Sequence, residues 1–309
     1  MRHSRAMPLH IATPLLESIA STPARRVWLK MEALQPSGSF KLRGIGHACE
    51  AHVRRGARRL MSSSGGNAGL AVAYAGRRLR VPVVVVVPET TLPWPMELIR
   101  REGAEVIVHG RSWMEANAHL QALLREGDAF IHPFDDALVW DGHASMIDEV
   151  HASGVYPDAV VLSVGGGGLM CGVLQGMHRV GWRDVPVVAV ETAGADSLAQ
   201  AIAAGGVVEL PAITSIATSL GARRVAERAF AWTREHPVRS VVVSDRAAVE
   251  ACLAFARDQR VIVEPACGAA LAVGLAAGAP SLEGAREVLV IVCGGVVASY
   301  PQLEQWSRI

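Results

Sequence analysis

Two lysines stand in this chain of 309 residues, Lys30 and Lys41, and the other 28 of its 30 basic residues are arginine. Lys41 lies in the stretch QPSGSFKLRG, Gln35 to Gly44, among small turn-forming residues. A guanidinium keeps its proton in proteins, whereas a desolvated amine lowers its pKa and becomes nucleophilic. Among the side chains, lysine is the one that forms a Schiff base with an aldehyde. Drift from lysine to arginine is open to surface positions and closed to a site that needs the amine. Lys30 sits in a strand-like run, VWLKME, and is expected to lie at the surface or to snorkel.

Two glycine turns could serve such an amine. In SVGGGGLMCGV, Ser163 to Val173, four glycines follow an apolar strand and precede a helix. Free N–H groups and the positive end of the helix dipole favour a phosphate there. The run lacks the Lys-Ser/Thr ending of a nucleotide P-loop, and Leu169 and Met170 break the dinucleotide fingerprint spacing. A tight turn with dense helix–sheet packing is the other reading. In SSSGGNAG, Ser62 to Gly69, hydroxyls, glycines and Asn67 lead into a helix. This turn suits a carboxylate, and Asn67 could donate to a phenolic oxygen; an ordinary Ser/Asn helix cap is the alternative. An amine, a phosphate seat and a carboxylate seat are together the parts that pyridoxal phosphate needs to act on an amino acid.

The elements that must position these residues follow from the alternation of β-branched runs with helical patterns over most of the chain. The strands are continuous apolar runs, which predicts open, twisted, mostly parallel sheets covered by helices, an α/β fold. VPVVVVVP is far too short to span a bilayer and reads as a buried strand. The segment MRHSRAMPLHIATPLLESIA is interrupted by Pro8 and Pro14 and has no continuous apolar run. A formal net charge of +1, with both signs mixed along the chain, predicts no nucleic-acid or anionic-membrane partner. Five scattered cysteines with no metal spacing predict reduced thiols and a cytoplasmic protein. His132, His143 and His151 form no metal spacing, and Asp135 and Asp136 are expected to cap a turn. Glu264-Pro265 reads as the start of a helix, and Trp94 and Trp113 as surface packing.

The segments LKMEALQPSGSFKLRGIGHACE, SSSGGNAG, FDDALVWDGHASM, LSVGGGGLMCGVLQG, ITSIATSLGA, VEPACGAALA and VIVCGG, in this order, resemble the serine/threonine dehydratases of pyridoxal-phosphate fold type II, the tryptophan synthase β-like fold. Within them the chain is most similar to the animal-liver-type L-serine dehydratases. The resemblance implies two α/β units with the cofactor between them, residues 1–34 and 136–309 forming the large one and 35–135 the small one. It implies a homodimer, and no regulatory domain after the final CGG.

The resemblance also implies roles. Lys41 and Ser64 would be catalytic, with Lys41 carrying the cofactor as a Schiff base. Phe40 would pack on one face of the pyridine ring and Ser219 would lie near the other. Asn67 would hydrogen-bond the cofactor's 3-hydroxyl oxygen, and Gly165, Gly166, Gly167, Gly168 and Leu169 would present N–H groups to the phosphate. Ser64, Gly65, Asn67 and Ala68 would face the substrate carboxylate. Cys293 would meet the pyridine nitrogen; a thiol is a weak donor there, which suits elimination better than chemistry needing a long-lived carbanion. Glu191, with backbone oxygens of Gly165, Ala195, Leu220 and Ala222, would hold a monovalent cation such as potassium.

The implied reaction is loss of water from L-serine and L-threonine, giving pyruvate or 2-oxobutyrate plus ammonia. Lys41 would take the α-proton, and the cofactor phosphate is the family's candidate for protonating the leaving hydroxyl. A serine racemase, a threonine synthase, a β-replacement synthase and a catalytically silent amino-acid-binding relative are the alternatives. Two positions depart from the pattern. Val296 follows the final GG where relatives often carry Asn, and Gly65 stands where some have Ala, which is expected to enlarge the space beside the substrate.

Overall fold

The computed structural model describes residues 8–308, so the first seven residues of the N-terminal segment read above lie outside it. Among the described residues ten strands are found, in chain order: β1 Leu15–Glu17, β2 Arg26–Lys30, β3 Arg59–Ser62, β4 Val83–Val87, β5 Glu105–Val108, β6 Asp128–Phe130, β7 Ala159–Ser163, β8 Val187–Thr192, β9 Val238–Val243 and β10 Glu287–Ile291. Eleven α-helices alternate with them: α1 Lys41–Arg54, α2 Asn67–Leu79, α3 Pro93–Arg101, α4 Trp113–Leu123, α5 Ala137–Ala152, α6 Gly168–Arg179, α7 Ser197–Ala204, α8 Glu227–Glu235, α9 Asp245–Gln259, α10 Pro265–Gly274 and α11 Tyr300–Trp306.

The strands form two sheets. One has six strands in the order β1-β2-β10-β7-β8-β9, the other four in the order β5-β4-β3-β6. Every pairing is parallel except β1 with β2. β4 and β7 are buried at every residue, as continuous apolar strands covered on both faces must be. No helix among the described residues is long and apolar enough to cross a membrane.

Local chemistry sets the helix ends. Asp136 accepts from the N–H of Leu138 at 2.7 Å and caps α5, as expected of that pair. Pro265 takes the first position of α10, where a missing N–H costs nothing. Glycines bring α1, α5 and α6 into close contact. A Cβ on Gly44 would lie 2.3 Å from the Val139 carbonyl oxygen, and one on Gly172 would lie 2.7 Å from that of Trp140.

The reading of Lys30 as a surface residue is corrected. Lys30 is 1 % exposed. Its amine donates to the Thr13 carbonyl at 2.7 Å and pairs with Glu149 of α5. Arg43 of α1, also fully buried, bonds the same Glu149 and the buried Glu32, at 2.7 Å each. Lys30 is therefore inside the fold. Lys30 points away from the sheet's apolar interior into a pre-paired ionic cluster, which is how a buried ammonium is tolerated.

Candidate active site

β2, β10 and β7 are adjacent and parallel, so their carboxyl ends open on one side of the sheet. Beyond those ends lie, respectively, the Lys41 stretch, the Cys293 turn and the glycine turn at Gly165. The Lys41 stretch and the Cys293 turn are hydrogen-bonded to each other. The N–H of Phe40 donates to the Cys293 carbonyl at 3.0 Å, and the N–H of Gly295 to that of Gly38 at 2.9 Å. Gly38, Gly294 and Gly295 all have positive φ, the region glycine enters without penalty.

The resulting cleft is lined by Phe40, Lys41, Asn67, Gly165 to Leu169, Ser219, Leu220 and Cys293. It thus brings together the expected amine, its neighbouring aromatic ring, the amide, the glycine turn, the hydroxyl and the thiol. Ser64, Gly65 and Ala68 lie on the Asn67 turn just outside this lining. Glu191, Ala195 and Ala222 lie outside it as well.

The Lys41 amine donates to the Pro133 carbonyl at 2.6 Å and sits 5.1 Å from the centre of the Phe40 ring. Burial lowers its pKa to about 8, against the opposing pull of Cys293 and Glu264. Such an amine is nucleophilic near neutral pH. The Cys293 thiol is held well above its usual range, first by a hydrogen bond with Cys267 and then by burial, so it stays protonated. Cys267, read from the sequence as a small buried hydrophobe, is this thiol's partner.

The two turns offer unpaired donors. Gly165, Gly166 and Gly167 have no backbone acceptor for their N–H groups among the described residues, and no side chain caps the following helix α6. The N–H groups of Gly168 and Leu169 are in its first turn, where none is satisfied within the helix. α2 likewise begins at Asn67 with no side-chain cap. Close packing enforces the glycines. A Cβ on Gly166 would lie 2.4 Å from the Phe134 ring, and one on Gly168 2.5 Å from the Phe134 carbonyl oxygen.

Gly65 does not enlarge the cleft. A Cβ there would meet Thr91 Cγ2 at 2.5 Å, Thr91 Oγ1 at 2.9 Å and Val87 Cγ1 at 3.1 Å. The space that an alanine methyl would take is already filled by Thr91, on the side toward β4. Glu191 is fully buried, and its two carboxylate oxygens accept from the N–H groups of Leu198 and Ala199 at 2.8 Å each. It caps α7, and burial raises its pKa to about 7 against those two bonds. Gly165 and Leu220 pack closely against one another in the lining of the cleft, a Cβ on Gly165 falling 2.9 Å from Leu220 Cα. Among the described residues no group of three or more His, Cys, Asp or Glu side chains is placed to hold a metal.

Contributors missed by sequence reasoning include Ser39, Phe134 and Glu264, which line the cleft. Ser39 and Phe134 were within reach, one lying inside the Lys41 stretch and the other in the loop between β6 and α5. Glu264 was read for its backbone role, which it has, but its carboxylate turns away from α10. It accepts from Asn67 Nδ2 at 2.8 Å and from the Val297 N–H at 3.1 Å. Burial raises its pKa, and bonds from Ser219, Val297 and Asn67 pull the other way.

Residues 6–294 match the family described as pyridoxal-phosphate dependent enzyme. The chain belongs to that family. It is 48% identical to the mouse protein named serine dehydratase-like, over 97% of this chain and 94% of the relative. It is 46% identical to the human L-serine dehydratase/L-threonine deaminase, over 96% and 94%. A fungal L-serine ammonia-lyase from Rhizomucor miehei superposes with a TM-score of 0.90 at 36% identity, over 98% of this chain and 99% of that one. Maize serine racemase superposes at 0.88 with 25% identity, over 96% and 92%. The two mostly parallel sheets are thus those of a fold type II pyridoxal-phosphate enzyme, and the chain sits among the serine dehydratases.

The cleft fits the family's cofactor on its own terms. An aldehyde needs a desolvated amine, and Lys41 is one. An anionic group needs unpaired N–H donors, and the Gly165 turn supplies them. The Ser39 hydroxyl, buried in the lining, has no hydrogen-bond partner among the described residues. An orphaned buried hydroxyl is costly unless something else meets it.

Proposed function

We propose that this chain catalyses α,β-elimination of water from L-serine and L-threonine, with release of ammonia and pyruvate or 2-oxobutyrate. The observation that carries the reading is a buried Lys41 amine with a pKa near 8 between two turns of unpaired N–H groups. The named relatives support the substrate class.

Pyridoxal phosphate, when bound, supplies an aldehyde for the amine and a sink for electrons at the substrate α-carbon. The chain's own residues do the rest. The N–H groups of Gly165 to Leu169 hold the phosphate at the start of α6, where the helix dipole favours an anion. Ser64 and the N–H groups of Asn67 and Ala68 hold the substrate carboxylate, which fixes the α-hydrogen toward Lys41. With a pKa of about 8, roughly a tenth of the Lys41 amine is unprotonated at pH 7, enough to accept that proton as a general base. The Phe40 ring flanks the amine, its centre 5.1 Å from the Lys41 nitrogen. The neutral Cys293 thiol places no full charge beside the cofactor ring.

We extend the reading to two further assignments. Residues 35–135 carry the four-stranded sheet, all of whose strands fall between Arg59 and Phe130, and form the smaller unit against 1–34 with 136–309. Glu191, with carbonyl oxygens of Gly165, Ala195, Leu220 and Ala222, takes a monovalent cation, and dependence of turnover on potassium tests this.

The test of the main reading is borohydride reduction of protein reloaded with pyridoxal phosphate, followed by peptide mapping and by incubation with L-serine alone. Label on Lys41 and pyruvate without a second substrate are expected, both lost in Lys41→Ala. Label elsewhere, or ammonia release unchanged in that variant, overturns it. D-serine in excess of pyruvate moves the assignment to the racemase reading that the maize structure suggests.

A further inference from the structure

Glu264 is the one carboxylate in the lining of the cleft among the described residues, and it is 3 % exposed. Its oxygens meet two other loops, accepting from Asn67 Nδ2 at 2.8 Å and from the Val297 N–H at 3.1 Å. The Asn67 amide is pinned from the far side too, since its Oδ1 accepts from the Val296 N–H at 3.0 Å. These bonds allow one orientation of the amide: oxygen toward Val296, nitrogen toward Glu264. The second hydrogen of Nδ2 is then directed toward Ser219 Oγ, 3.4 Å away, which also lines the cleft. The room for this carboxylate is made by Gly295, where a Cβ would fall 2.0 Å from Glu264 Cδ.

We propose that Glu264 is a positioning residue for the cofactor end of the cleft: it locks the Asn67 amide with its nitrogen turned inward and supplies the one carboxylate charge that faces Lys41. The inference rests on the reading that pyridoxal phosphate occupies this cleft with its aldehyde on Lys41. It concerns how the chain fixes the Asn67 amide at the cleft, with one Nδ2 hydrogen held by Glu264 and the other turned toward Ser219. The titratable groups around the carboxylate are Lys41 from α1, Cys293 after β10, Cys267 of α10 and Cys252 of α9. The Cys293 and Cys252 thiols are held neutral, and Lys41 and Glu264 face each other across the ring end of the cleft.

The experiment uses the full chain, stripped and reloaded with pyridoxal phosphate, in Glu264→Gln, Glu264→Asp, Asn67→Ala and the double variant Glu264→Gln/Asn67→Ala. Cofactor dissociation constant, the pH midpoint of the bound cofactor's visible absorbance, and the far-UV spectrum of the apoprotein are read. Gln sets an N–H2 against the Val297 or Asn67 donor, so its dissociation constant is expected to rise about tenfold. Its absorbance midpoint falls, because a negative charge no longer favours the protonated linkage at Lys41. Asp keeps the charge but draws back from Asn67, so affinity falls while the midpoint stays; it also keeps the question answerable if the Gln variant does not fold. Since Glu264 acts through Asn67, the double variant binds no more weakly than the worse single one.

Additive losses in the double variant, or a Gln variant with unchanged affinity and midpoint, overturn the inference and leave the reading of the cleft intact. A wild-type protein that shows no cofactor absorbance overturns that reading, and the inference with it.

Discussion

The backbone N–H of Phe40 donates to the carbonyl of Cys293 at 3.0 Å, joining the turn before α1 to the turn after β10. The amine beside Phe40 and the thiol of Cys293 therefore cannot move independently. Gly294 sits at this joint with φ +83°, and a Cβ on it would lie 2.5 Å from the Gly38 carbonyl oxygen and 2.6 Å from Ala33 Cα. Gly294→Ala is expected to part the two turns, destabilising the protein by about 1–3 kcal/mol. Denaturant unfolding gives the first quantity, and cofactor titration should show weaker binding in the same variant. An alanine variant with wild-type stability and affinity would show that the joint is not needed.

The amine of Lys41 should titrate early. A lysine with its pKa lowered to about 8 gains its neutral, reactive form as pH rises through 8, well before an ordinary lysine. In the apoprotein, modification of the Lys41 peptide by an amine reagent should rise with pH and level off just above that value. Mass spectrometry of the peptide follows it. A rate still climbing steeply toward pH 10 would mean the amine is solvated.

Gly65 and Thr91 should behave as a pair. Gly65→Ala places a methyl against Thr91, a clash expected to cost about 1–3 kcal/mol and to shift the Ser64–Asn67 turn. Turnover of serine and threonine should fall together. Adding Thr91→Ala removes both contacting atoms of that residue and should restore much of the loss. A change in the serine-to-threonine ratio with no rescue would instead return the substrate-side explanation.

The ionic cluster under α1 should be brittle. Arg43→Leu leaves Glu32, which is fully buried, without its main partner, and leaves Glu149 to Lys30 alone. Breaking one side of a buried pair costs about 3–5 kcal/mol. Equilibrium unfolding should show that loss, and the doubly neutral Arg43→Leu/Glu32→Leu should recover part of it. Equal stability of Arg43→Leu and wild type would mean that the cluster contributes nothing.

Much of the site was legible because its chemistry is local. The amine requirement at Lys41, the glycine turns at Gly165 and Gly65, and their places after apolar strands can all be read from short windows. What failed were statements about partners. Lys30 was expected to lie at the surface or to snorkel, as a lysine in a strand-like run commonly does, and it is instead buried in an ion-paired cluster. Its acceptor Glu149 arrives on α5, more than a hundred residues on. Gly65 was expected to leave space, and Thr91 fills it from the loop between β4 and α3.

The sequence alone determined which residues can be chemical and which elements carry them. Apolar periodicity writes a parallel α/β fold, glycine writes the turns, and the scarcity of lysine marks the amine. Tertiary structure alone decided which turns meet. The order β2-β10-β7 sets Lys41, Cys293 and Gly165 side by side, and the same packing turns the Glu264 carboxylate off its own helix toward Asn67. Strand order and the direction of a buried carboxylate depend on contacts between segments far apart in the chain, and no local pattern of residues encodes those.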